Sequence, residues 1–131
     1  MYRNILALLV ALLPAIGHTH SLAPATQTAV SVDGWTQVTM KATNHFDKPA
    51  RFEVLVYADP EGQHPITGSK VAPQKFVLGP DRRRTFRVKV PTTGDRFWIC
   101  TRRVPAARSI KVMPTEICSK VTIGRKLRSK P

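Results

Sequence analysis

Short runs in which apolar and polar residues alternate constrain this chain more than any other feature. Arg84–Val90 places Phe86, Val88 and Val90 on one side and Thr85, Arg87 and Lys89 on the other. Thr36–Thr43 does the same, with Val38, Met40 and Ala42 opposed to Thr39, Lys41 and Thr43. Successive side chains leave a strand on opposite faces, so this period of two predicts half-buried strands. No segment of useful length carries the helical period of about 3.6 residues. Further extended runs fall at Thr28–Val32, Arg51–Ala58, Lys70–Leu78 with a kink at Pro73, Phe97–Arg103 and Glu116–Arg125. Arg51–Ala58 puts Phe52, Val54 and Val56 inward, with Leu55 and Tyr57 on a face that is itself partly covered. Turn signals separate the runs: Asp33-Gly34, Asn44 to Pro49, the Pro- and Gly-rich loop 59–68, Gly79-Pro80-Asp81, and Pro91 to Asp95. About seven short strands spaced by turns predict an all-β, immunoglobulin-like β-sandwich. The chain's 131 residues suffice for one such domain and not for two.

The first residues read as an export leader rather than as part of that domain. Arg3 supplies a positive start, Ile5 to Leu13 is unbroken and apolar, and Pro14 with small residues follows. The apolar run is too short for a bilayer span, which needs roughly 20 residues. Cleavage after Ala25 uses Ala23 and Ala25 as the small pair; cleavage after Gly17 uses Ala15 and Gly17. The first is preferred, which divides the chain into a leader 1–25, a domain 26–124 and a basic tail 125–131. No other segment is apolar enough to cross a membrane, so the mature protein is expected to be exported and not membrane-spanning.

Lysine and arginine number 21 against 8 acidic residues, a net charge of +13, and the leader holds only Arg3 of these. A field of that sign attracts acidic proteins, anionic lipid or polyanions. Export makes nucleic acid the least suitable partner. Arg82, Arg83 and Arg84 cluster at a turn, Arg87 and Lys89 continue along one strand face, and Arg102, Arg103 and Arg108 mark the other end of the sheet. These are the candidate basic face, to be weighed against an ordinary solvated surface.

Cys100 and Cys118 are the only cysteines, an even count that in an exported chain predicts one disulfide. Alternation puts Cys100 opposite Phe97 and Ile99, and Cys118 opposite Ile117, Ser119, Val121 and Ile123. Both thiols then lie outside the core, on the same side of an antiparallel pair, within bridging distance if they face each other. Closing that loop should contribute about 3 kcal/mol. The chain has no CxxC arrangement that would suggest redox catalysis.

No catalytic, metal or cofactor site is legible. His18 and His20 are expected to leave with the leader or to sit at a frayed end, and His45 and His64 fall in turns away from other ligands. There is no nucleophile elbow and no phosphate-cradling glycine loop, so no enzyme activity and no cofactor are expected.

From Asn44 onward the chain resembles the N-terminal immunoglobulin-like domain of the periplasmic pilus-assembly chaperones of the chaperone–usher pathway. TNHFDKPARFEVLVY is similar to that family's asparagine-led turn and proline before a strand ending in an aromatic. ITGSKVAPQKFVLGPDRRRTFRVKV resembles its kinked proline strand, leucine–glycine/proline turn and basic strand. RFWICTRRVP resembles its aromatic strand, and EICSKVTIGRKLRSKP its last strand running toward the interdomain linker. A cysteine pair joining the last two strands occurs in one branch of the family.

The resemblance implies a periplasmic chaperone with no catalytic chemistry. Its last strand would be an exposed edge lent to an exported pilin or fimbrial subunit, with an outer-membrane usher as a further partner. The implied binding residues are Ile117, Val121 and Ile123 on one face, with Met113 upstream and Lys120 as the nearest substitute for a family lysine. The alternative for these side chains is the domain's own core. Three departures stand beside the likeness: the chain stops where a second domain would begin, the first strand lacks the family's arginine, and Pro114 interrupts the edge. A different reading is an immunoglobulin-like binding module whose basic face meets an anionic surface or an acidic protein.

Overall fold

The computed structural model describes residues 19–104 and 116–129, and all of its regular elements are strands. They are β1 (His20–Ala23), β2 (Thr26–Val32), β3 (Trp35–Asn44), β4 (Ala50–Tyr57), β5 (Lys70–Ala72), β6 (Lys75–Leu78), β7 (Arg83–Pro91), β8 (Arg96–Val104) and β9 (Glu116–Leu127). The leader residues 1–18, and with them Arg3 and His18, lie outside the described residues. So do Arg108, Met113 and Pro114.

Turn chemistry sets the first hairpin. Asp33 and Gly34 both adopt positive φ, 52° and 80°, which is the two-residue turn whose twist matches the flanking strands. Gly34 meets nothing within 4 Å, so its backbone angle and not crowding is what requires glycine there.

Two strand switches make one curled sheet out of two facing layers. The strands follow the order β5-β7-β3-β2-β9-β8-β4-β6, with β1 also paired to β3. β1 runs antiparallel to the end of β3, and the chain then crosses at Pro24-Ala25 so that β2 runs parallel to β9. The second switch is at Pro73: β5 pairs with β7 in one layer and β6 with β4 in the other. The kink expected at that proline is therefore the point where the chain changes layer.

The alternation read from the sequence is the observed packing. Val38, Met40 and Ala42 from β3, Phe52, Val54 and Val56 from β4, Phe86, Val88 and Val90 from β7, and Phe97 and Ile99 from β8 are all buried in one core. Phe52, Phe76 and Phe86 stack through it with ring centroids 5.9 Å apart in each step. Burying a side chain of this size stabilises a fold by about 1.5–3 kcal/mol.

The ends of the domain differ from the expectation. His20 is buried, not frayed: its Nε2 lies 2.9 Å from the Thr101 hydroxyl and 3.1 Å from the Thr101 carbonyl, and its ring packs on Phe52. Leu22 joins the core beside it. The physical reason is β1 itself, whose four residues complete the β3 layer. At the other end β9 continues through Arg125 and Lys126 to Leu127, so the stretch expected to be tail begins as paired strand. Ser129 then donates its backbone N–H and its hydroxyl to the two oxygens of the Asp33 carboxylate.

Candidate functional site

β9 has two halves with different surroundings. From Lys120 to Ile123 it lies between β8 or its turn on one side and β2 on the other, and from Arg125 to Leu127 it pairs with β2. From Glu116 to Ser119 its only strand partner among the described residues is β8. The Lys120 N–H donates to the Ala25 carbonyl, 3.1 Å away on the β2 side. Backbone amides in a strand point the same way at every second residue. The N–H groups of Cys118 and Glu116 therefore point to the flank that β2 leaves uncovered.

That geometry corrects the reading of the whole strand as an edge. Val121 is fully buried, and Ile117 and Ile123 pack against the same core. These side chains form the inner wall beneath β3 and β7, so the face assigned to a partner is the domain's own. Lys120 lies on the outer face, opposite Thr26 in register, and Thr122 lies opposite Thr28. No basic residue of β2 stands across from either, whereas on the β8 side Arg96 lies opposite Thr122. Among the described residues, the strand leaves backbone unpaired on the β2 side over Glu116–Ser119 and on the β8 side over Arg125–Leu127.

The outer face around this edge is built in cross-strand rows. Glu53, Arg102 and Glu116 form one row, Leu55, Cys100 and Cys118 the next, and Tyr57, Trp98 and Lys120 the third. Arg102 donates to Glu53 at 2.9 Å, and that hydrogen bond holds the guanidinium above its ordinary range. Cys100 and Cys118 are joined as a disulfide across directly paired positions on the outer face, the side alternation predicted, with Cys100 buried there and Cys118 exposed. Glu116 approaches Cys118 within 3.7 Å, but both sulfurs are already bonded to each other. Tyr57 is covered by the loop 59–66, whose Gly62 has a φ of 71° and would set any Cβ 3.5 Å from the tyrosine ring. Burial pushes the Tyr57 phenol up.

The candidate basic face does not form one surface. Arg83, Arg87 and Lys89 lie on the outer face of the β3–β7 layer together with Lys41 and Lys70, while Arg82 and Arg84 are exposed at the strand's start. Arg102 faces outward from the opposite layer. Arg103 turns the other way and stacks over Phe46 at 4.4 Å. Neighbouring residues of a strand point to opposite faces, and this divides the Arg102–Arg103 pair.

Neither a protein-family model nor a curated protein sequence matches the chain. Solved structures do. The E. coli chaperone DraB superposes with a TM-score of 0.61 at 20% identity, over 81% of this chain and 55% of that one. The SafB chaperone of Salmonella enterica, solved with the SafA pilin, belongs to a complex that matches at 0.56 and 20% identity, over 86% and 55%. This is the immunoglobulin-like fold of the pilus chaperones. The chain spans a little over half the length of those two structures. The same fold matches a PapD-like domain of human CEP192 with a TM-score of 0.58 at 10% identity, and there the match covers 88% of the other chain. Among the described residues no helix is long and apolar enough to cross a membrane.

Proposed function

We propose that the protein is a periplasmic, chaperone-like binder of exported pilin-type subunits, acting by strand pairing at the open flank of β9. The observation that carries this reading is the half-covered strand: two amides, those of Glu116 and Cys118, face away from β8 where β2 no longer follows. An extended segment that lacks a partner can complete its ladder there, and backbone hydrogen bonds supply most of the affinity in that mode. The pilus-chaperone fold supports the choice of partner class. The disulfide one row from the edge holds Cys118 in register with β8, so the edge is ordered before a partner arrives.

The leader is part of the same proposal, with its boundary ahead of Thr19. A cut after Gly17 leaves β1 and the buried His20 in the mature domain, whereas a cut after Ala25 removes both.

The test is co-expression with pilin-type subunits that lack their own last strand. Glu116→Pro removes one outward N–H and leaves the Ile117 and Ser119 pairing to β8 in place. The parent should retain the subunit through a high-salt wash, since backbone pairing is not screened, and Glu116→Pro should lose it. Retention of the subunit by a folded Glu116→Pro protein as tightly as by the parent refutes strand pairing at this edge.

A further inference from the structure

A second exposed surface lies at the other end of β9 from Glu116–Ser119. Four large apolar side chains are exposed among the described residues, and three of them are Val30, Val32 and Leu127, at 43%, 47% and 47%. The pairing register brings them together. Leu127 lies opposite Val32, Val32 opposite Trp35, and Trp35 opposite Pro91, which gives one apolar row across β9, β2, β3 and β7. A cationic row runs beside it. Arg125 lies opposite Val30, and Gln37 is followed by Lys89 and Lys70. The two ammonium groups sit over the indole of Trp35, at 4.9 Å for Lys89 and 5.5 Å for Lys70. Between the rows is a shallow hollow of about 450 Å³ lined by Val30, Val32, Asp33, Trp35, Gln37 and Lys89.

The arrangement depends on a bulge. The β2–β9 register shifts between Ala29 and Val30, where Gly124 is passed over. Upstream of it Ile123 and Ala29 point into the core. Downstream Arg125 and Leu127 point out with Val30 and Val32. The one acidic residue in the hollow, Asp33, accepts both hydrogen bonds from Ser129, which hold its carboxyl below the ordinary range.

We infer that this face docks on an anionic phospholipid surface. An apolar row with an indole, bordered by lysines and arginine, suits the boundary between headgroups and acyl chains, where indoles settle and long cationic side chains reach the phosphates. A protein strand would seek unpaired backbone, and at the centre of this face Val32 pairs with both Leu127 and Trp35, and Trp35 with both Val32 and Pro91. A second copy of the chain would bring a net charge of +13 against its like. A hydrophilic polyanion has no use for Val32 and Leu127.

The test uses the mature protein, freed of its apolar leader by export and carrying Trp98→Phe, which leaves Trp35 as the sole indole, and vesicles of phosphatidylcholine alone or mixed equally with phosphatidylglycerol. On the mixed vesicles Trp35 emission should shift to the blue and be quenched by brominated acyl chains, with neither effect on phosphatidylcholine. Joint replacement Lys70→Glu and Lys89→Glu should weaken this binding by roughly thirtyfold or more, as the loss of two surface cations implies. Val32→Asp, at an exposed position, should abolish the quenching with the fold intact. Four results overturn the inference: no binding to mixed vesicles, equal binding to neutral ones, binding with Trp35 emission unmoved, or a dimer that Val32→Asp dissolves without affecting lipid binding. The prediction is independent of the β9 edge, so Glu116→Pro should leave it unchanged.

Discussion

Replacing Asn44 with alanine should remove about 3 kcal/mol of stability, because this side chain joins three parts of the fold. Asn44 is fully buried at the end of β3. Its Nδ2 donates to the carbonyls of Lys48, Leu78 and Gly79 at 3.0, 2.9 and 3.2 Å, and its Oδ1 accepts the Phe46 N–H at 2.8 Å. The backbone bonds of the same residue, to Arg82 and from Asp81, survive the substitution. Each lost neutral hydrogen bond counts for about 0.5–1.5 kcal/mol, and the Phe46 N–H left without a partner in a buried position adds to that. Since the Gly79 carbonyl also receives Arg82 N–H, the total is nearer about 3 kcal/mol than the sum of four full bonds. For a domain of this size that corresponds to a fall in melting temperature on the order of 20 °C. Urea unfolding followed by far-ultraviolet circular dichroism measures it. Asn44→Asp, of nearly the same shape, should be worse at neutral pH, because a carboxylate oxygen then meets the Leu78 and Gly79 carbonyls. A loss below about 1 kcal/mol for Asn44→Ala would show that the turn and the two layers are held by something else.

Two further outcomes follow from the buried contacts. Burial pushes His20 below its ordinary value, with the Thr101 carbonyl opposing and the nearby His45 assisting, and its Nδ1 has no partner among the described residues to accept a second proton's hydrogen bond. The unfolded chain therefore binds the proton first, and stability should fall as the pH drops below about 6.5 and level off once the folded value is passed. His20→Gln should show a flatter dependence over that window in urea titrations, and a slope equal to the parent's would count against His20 as the titrating group. At Gly124 an added Cβ would lie 2.6 Å from the Thr28 methyl. Gly124→Ala should cost about 1–3 kcal/mol by overpacking, and Thr28→Ser, which deletes that methyl, should recover most of it in a double-mutant cycle.

Much of the fold was legible because side-chain alternation is a direct record of which face is buried. Phe86, Val88 and Val90, or Val38, Met40 and Ala42, report their face wherever they sit. The same signal put Cys100 and Cys118 on the outer face and opposite each other. Alternation carries no information about what lies beside a strand, and that is where the reading of β9 as an edge failed. Its second flank is covered by β2, a parallel partner some ninety residues earlier in the chain, in a register that only the crossing at Pro24-Ala25 determines. His20–Ala23 was hidden for a related reason: four residues after an apolar leader look like a cleavage region until Thr101, 81 residues away, supplies the partner. The exposed row of Val30, Val32, Trp35 and Leu127 depends on the bulge at Gly124, which inverts the period of two within a single strand.

The half-covered strand is tested most directly by amide hydrogen exchange of the isolated protein, read residue by residue. Cys118 should exchange much faster than Lys120, although both amides point to the same flank, because only Lys120 meets β2. Addition of a pilin-type subunit should slow Cys118 and leave Lys120 unchanged. Equal protection of the two amides in the isolated protein, or a Cys118 rate that a bound subunit does not alter, would contradict the account.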